Sequence, residues 1–170
     1  MGDYEMISVK IEDIKSFTSK LFVGEVFDRF LIKEASISTY NTFTIDGTIK
    51  SGYYSQEELE EQKIGTYSSW STLKPFCFSL IKGKRLPVSF RIILLMPEEG
   101  TERFLSARRI GFPKEQVKGL YVNIRYEEEK LTCITGTSVS VFTLDKTLDE
   151  EWDEGFKSFL KKNEIPFVEE

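Results

Sequence analysis

The chain of 170 residues carries 23 Lys and Arg against 28 Asp and Glu, a formal net charge of −5, with 40% hydrophobic and 14% aromatic residues. That length suits a single domain over 1–170, the aromatic content excludes a disordered chain, and the acidic balance disfavours nonspecific binding to phosphate backbones. The absence of histidine removes the commonest general base and metal ligand, and two widely separated cysteines, Cys77 and Cys133, give no structural zinc pattern. No metal or cofactor is expected, and both thiols are expected to be reduced and buried. The longest apolar run, 92–96, is far short of the roughly 20 residues that span a bilayer. The acidic start of the chain is unlike a secretory signal, so the expected compartment is the cytoplasm, with no membrane partner.

In chain order, a strand is predicted over 6–11 and a helix over 12–22. In that helix Ile14, Phe17 and Leu21 share a face, Glu12 and Asp13 favour the positive N-terminal end, and Gly24 supplies the stop. Two strands follow, over 30–39 and 42–50. In the second, Phe43, Ile45, Gly47 and Ile49 alternate with Thr42, Thr44, Asp46 and Thr48, the period of a half-buried sheet, and Gly47 marks a bulge or a close contact. Ser55 and Glu58 have capping-box spacing and open a short acidic helix.

A third helix is predicted over 71–82, with Pro75 in its first turn, Leu73, Phe76, Cys77, Leu80 and Ile81 toward the core, and Gly83 at its end. Beyond it come a buried strand over 87–96, a helix over 101–109 and a single turn within 113–118. Three strands, over 120–127, 131–136 and 138–144, have connections short enough for an antiparallel meander. Thr147 and Glu150 repeat the capping-box spacing and open a helix to about residue 162. Its stripe of Leu148, Trp152, Phe156, Phe159 and Leu160 is assigned to the core, with Trp152 as anchor. The fold class that follows is α+β, a largely antiparallel sheet with about four or five helices.

No glycine-rich phosphate loop is present, since Gly83-Lys84-Arg85 follows a helix instead of opening one. Most carboxylates fall in runs read as solvated surface, at 57–61, 127–129 and 149–154; Asp46 and Glu34 interrupt strand segments and stand apart. Tyr53 and Tyr54, beside Gly52, join Asp46 as the candidate small-molecule pocket. Basic residues concentrate elsewhere: Lys74, Lys82, Lys84 and Arg85 on and after the third helix, Arg108 and Arg109 on the fourth, Lys15 and Lys20 on the first. If the first and third helices line one face, they make a positive surface; the opposing account is that Lys82 and Lys84 neutralise the negative end of a helix dipole. Phe104 and Phe112 near the arginine pair fit an aromatic-and-basic nucleic-acid surface.

The segments Glu25-Val26-Phe27-Asp28-Arg29-Phe30 through Phe43-Thr44-Ile45-Asp46-Gly47, and Lys74-Pro75-Phe76-Cys77-Phe78 through Lys82-Gly83-Lys84-Arg85-Leu86-Pro87, together with Glu151-Trp152, resemble an uncharacterised clostridial family of unknown function. That resemblance implies no activity and assigns no site. The order strand, helix, two paired strands, helix and further antiparallel strands is similar to one subdomain of the DNA sliding clamps. Tyr121-Val122-Asn123-Ile124-Arg125-Tyr126 through Leu131-Thr132-Cys133-Ile134-Thr135-Gly136 resembles the late strands of such a subdomain. Clamps repeat the unit whereas this chain holds about one copy, so a ring would take several chains. The expected role is a noncatalytic binding or scaffold protein, clamp-like in form, with a protein partner, weak nucleic-acid contact and homo-oligomerisation as its associations. The alternative is a small-molecule binding protein or an enzyme using carboxylates or Tyr.

Overall fold

The computed structural model describes residues 2–83 and 85–170, with side chains from residue 7 onward. Among them seven strands form one sheet: β1 (Gly2–Ile11), β2 (Leu31–Ser38), β3 (Thr42–Asp46), β4 (Ser89–Leu95), β5 (Val117–Glu127), β6 (Lys130–Val139) and β7 (Phe167–Glu169). Their order is β3-β2-β4-β5-β6-β1-β7, with every neighbouring pair antiparallel. Five helices accompany them: α1 (Ile14–Phe22), α2 (Gln56–Glu61), α3 (Trp70–Ile81), α4 (Glu98–Ala107) and α5 (Thr147–Lys162). The fold is α+β, as the periodicities predict.

Side chains alternate across a strand, so register decides which residues share a face. Ala35, Ile92, Ile124, Cys133 and Val9 form one row across five strands, and all five are buried. The adjacent row, Ser36, Arg91, Arg125, Thr132 and Lys10, lies on the opposite face. The core cluster takes its strand residues from the apolar face, and every buried apolar side chain of α1, α3, α4 and α5 belongs to that cluster; Ile93, Leu95 and Ile134 of the other face do not. The helices therefore close one side of the sheet, while α2 buries none of its residues.

Local chemistry explains the element ends. Asp13 caps α1 by accepting the Ser16 N–H at 3.0 Å. The Ser55–Glu58 capping box forms in both directions. α3 begins at Trp70, one residue earlier than predicted, because the indole is wholly buried and its Nε1–H donates to the Leu21 carbonyl at 2.9 Å. Pro75 therefore sits in the second turn, where its missing N–H leaves the carbonyl of the exposed Ser71 to water. Phe76 points outward, against the prediction, and is 62% exposed.

Two further expectations are corrected. Residues 138–144 are not a separate strand: Gly136 pairs with Tyr121 inside the ladder, β6 runs on to Val139, and its free edge is taken by β1, so 140–146 has no strand to join. Thr147 is not the cap of α5 but its first residue; its N–H and hydroxyl both donate to Asp145, at 2.9 and 2.6 Å. The predicted stripe of α5 does face the core, with Phe159 partly buried.

Gly47 makes the close contact predicted for it. A Cβ there would lie 1.9 Å from the Ile32 carbonyl oxygen, while its N–H donates to Lys33 and its carbonyl accepts from Ser68. Gly47→Ala should thus cost at least about 2 kcal/mol in urea denaturation, against a change within about 0.5 kcal/mol for Gly52→Ala, where no atom lies within 4 Å. Trp152 is 3% exposed and touches Phe104 at 5.5 Å between ring centroids. Trp152→Ala should cost about 3–5 kcal/mol, and a loss below about 1 kcal/mol would contradict its role as an anchor.

Candidate functional site

Among the described residues, ten large hydrophobic side chains are exposed, and four of them, Phe76, Phe78, Leu86 and Val88, fall within 76–88. The local cause is the fixing of α3 at its start. Trp70 is tied to Phe30 and Leu21 through its two N–H groups, and Lys74, on the next turn, donates to the Gly24 carbonyl at 2.7 Å and meets Asp28 at 2.6 Å. Leu73, Cys77 and Leu80 then turn to the core, and Phe76 and Phe78 are left outside. After Gly83, at φ 137°, the chain returns to the sheet with the Val88 N–H on the Ser38 carbonyl. That bond sets Val88 beside the β2–β3 turn, whose Tyr40 is 85% exposed, and Leu86 is exposed two residues before it.

The predicted basic residues divide between this surface and the fold's interior contacts. Lys82 and Arg85 are exposed at the end of α3; Lys84 lies outside the described residues. Lys74 is enclosed with Asp28, at 12% exposure of its side chain. Lys20 donates to the carbonyls of Asn163 and Glu164, beyond the C-terminal end of α5. Arg108 pairs with Glu151 at 3.2 Å and lies over the Phe104 ring. Lys15 and Arg109 are exposed on α1 and just after α4.

A cleft of about 1190 Å³ opens where β2 begins and β4 ends, between the 62–69 segment and the start of α4 with 114–119. Of the predicted pocket, Tyr54 lines this cleft whereas Asp46 and Tyr53 do not. Asp46 is exposed and held below the usual carboxylate range by the Thr48 N–H, with Lys50 assisting. Tyr53 stacks edge-on against Tyr54, with ring centroids 5.1 Å apart. Lys114 bridges Glu98 and Glu102 in the cleft wall, and the Glu102 carboxylate raises its pKa. Cysteine chemistry has no foothold here: burial pushes the Cys77 thiol up to about 12 and Cys133 upward as well, and neither lines the cleft.

The acidic run of α5 is less solvated than its composition suggests. Asp149 is buried and accepts the Thr137 hydroxyl at 2.5 Å, and one turn later Asp153 accepts that of Thr135 at 2.6 Å. The signal available in the sequence is their i, i+4 spacing beside Trp152 and Phe156, which turns them toward the sheet. Both carboxylates dock α5 on β6 and lie outside the cleft. Glu34, the other carboxylate that stood apart, pairs with Arg91 at 3.5 Å.

A family model described as a family of unknown function (DUF5721) matches residues 20–168. No curated protein and no solved structure matches the chain.

The docking of α5 carries a pH dependence. Burial raises the pKa of Asp153, with the nearby Asp149 charge adding to it and the Thr135 hydroxyl and Lys157 opposing. The unfolded chain therefore releases this proton first as pH rises past the ordinary Asp value, and stability falls from there up to the raised folded value. Asp153→Asn keeps an acceptor for Thr135 without titrating. In urea denaturation the wild type should lose stability relative to this variant as pH rises above the ordinary Asp value, until the folded carboxyl has also ionised. A gain over the same range would reverse the sign and refute the assignment.

Proposed function

We propose that this chain, which belongs to the family of unknown function DUF5721, is a noncatalytic binding protein that docks an amphipathic helix of a protein partner on the 76–88 surface. One observation carries the reading: an apolar surface left open on α3 and on the return to β4, with the exposed Lys82 and Arg85 at its rim. Contiguous exposed apolar groups rimmed by charge are the usual mark of a docking surface in a folded domain. Phe76 and Phe78, two residues apart, leave different flanks of α3, and exposed Phe78, Leu86 and Val88 are the groups against which the i, i+4 anchors of a helix would pack. The partner is acidic along one flank, since the rim is basic while this chain is acidic overall. A sheet layered with helices on one face is also the form that a clamp-like scaffold would take, with several copies needed for any ring.

The small-molecule alternative rests on the cleft beside Tyr54, whose Lys114 is already paired with Glu102. It has no comparable single feature in its favour.

The test places a photo-crosslinking residue at the exposed position 86 in the native cell and identifies the peptide captured, alongside Val88→Asp and Lys82→Glu/Arg85→Glu variants that carry the same crosslinking residue. The expected result is one segment with apolar residues at helical spacing and an acidic flank, lost in both variants while their thermal midpoints stay near that of the wild type. Capture that both variants retain, or a segment without an acidic flank, would refute the proposed partner.

A further inference from the structure

The uncovered face of the sheet has chemistry of its own. Arg91 on β4 and Arg125 on β5 stand directly opposite in the register, so their Cα atoms are about 5 Å apart and both side chains leave the same face. Like charges in that relation destabilise a sheet. Glu34 offsets one of them, at 3.5 Å from Arg91, with the two side chains 43% and 41% exposed. Arg125 has no ion pair among the described residues, and its Nε is buried without a hydrogen-bond partner. Two residues along β5 on the same face, Asn123 has a buried Oδ1 that is also without a partner. Thr132 and Lys10 extend the Arg125 row across β6 and β1.

We infer that Arg91 and Arg125 bind the phosphate group of a small phosphomonoester on this open face. Two guanidinium forks, the Thr132 hydroxyl and the Lys10 ammonium supply more donors than the two oxygens of a carboxylate use. A phosphomonoester has three terminal oxygens and close to two negative charges, which matches that set. Asn123 Oδ1 accepts an O–H or N–H from the body of the ligand. A long polyanion fits less well, because Glu34 and Glu127 share this face and the chain is acidic overall. Base stacking has little to use either, since the Tyr121 ring at the end of the face lies under Lys33, 5.2 Å from its ammonium. The site is on the opposite side of the sheet from the helices and is independent of the docking surface.

The experiment titrates the full chain at low salt with inorganic phosphate, with a nucleoside monophosphate and with an oligothymidylate, read by calorimetry and by the 15N-edited Nε–Hε resonances of arginine. Phosphate and the nucleotide should raise the thermal midpoint and shift the Arg125 resonance. Arg125→Gln and Arg91→Gln should each weaken binding about tenfold or more, and Arg125→Lys should retain part of it, whereas Lys82→Glu/Arg85→Glu should not alter it. Equal affinity in wild type and Arg125→Gln, or an Arg125 resonance unmoved at saturating phosphate, would overturn the site. Binding of the oligonucleotide without any response to phosphate or nucleotide would overturn its assignment to a small ligand.

Discussion

The structure depends on one constraint, the register that holds β2, β4, β5, β6 and β1 so that all their strongly apolar rows fall on one side. A slip of one residue in any of these ladders would turn Ile92, Ile124 or Cys133 to water and bring Arg91, Arg125 or Thr132 into the core. With the rows aligned, the apolar faces of α1, α3, α4 and α5 have a single surface to cover, and one cluster runs from Phe17 to Leu160. Irregularities are confined to places that leave these rows intact. β2 shifts register between Ile32 and Glu34, β1 between Glu5 and Ser8, and β5 between Val117 and Gly119.

The same constraint gives the molecule two unlike surfaces. On the helical side, the core takes one face of α3, and Phe76 and Phe78 are left exposed beside Ser71, Thr72 and Ser79. On the sheet side, Ile93, Leu95 and Ile134 are interspersed with polar and charged residues, and the pair of Arg91 with Glu34 leaves part of the cationic row unmatched.

Much of this layout was legible from residue spacing. The alternation of β3, the Ser55–Glu58 box and the stripe of α5 each combine local propensity with a hydrophobic period, and local rules suffice for them. What escaped was set by distant partners. Trp70 belongs to a heptad-like series with Leu73, Cys77 and Leu80, but its burial depends on the carbonyl of Leu21. The strand expected over 138–144 alternates well enough, yet Gly136 is a ladder residue and not a turn, because the edge of β6 pairs with residues from the start of the chain. β7 has three residues and no periodicity to read; its pairing to β1 creates it. The basic candidates were legible as charges but not as contacts, since whether Lys20, Lys74 and Arg108 reach carbonyls, carboxylates or water is decided by tertiary approach.

The position of β1 also imposes an order on assembly during synthesis. Its two neighbours in the sheet, β6 and β7, lie more than a hundred residues later in the chain, so β1 emerges before either strand it pairs with. β2, β3, β4 and β5 are joined through contacts nearer in sequence and can close first, while β1 waits for more than a hundred residues to be translated. Until then Val9 and Ile11, both destined for the core, lack their partner strand, and the edge of β5 that β6 will take stands as a ladder of unpaired amides. Nascent chains of this protein therefore pass through a stage in which an unclosed sheet and an unpaired strand coexist, the condition under which holding chaperones recognise a client.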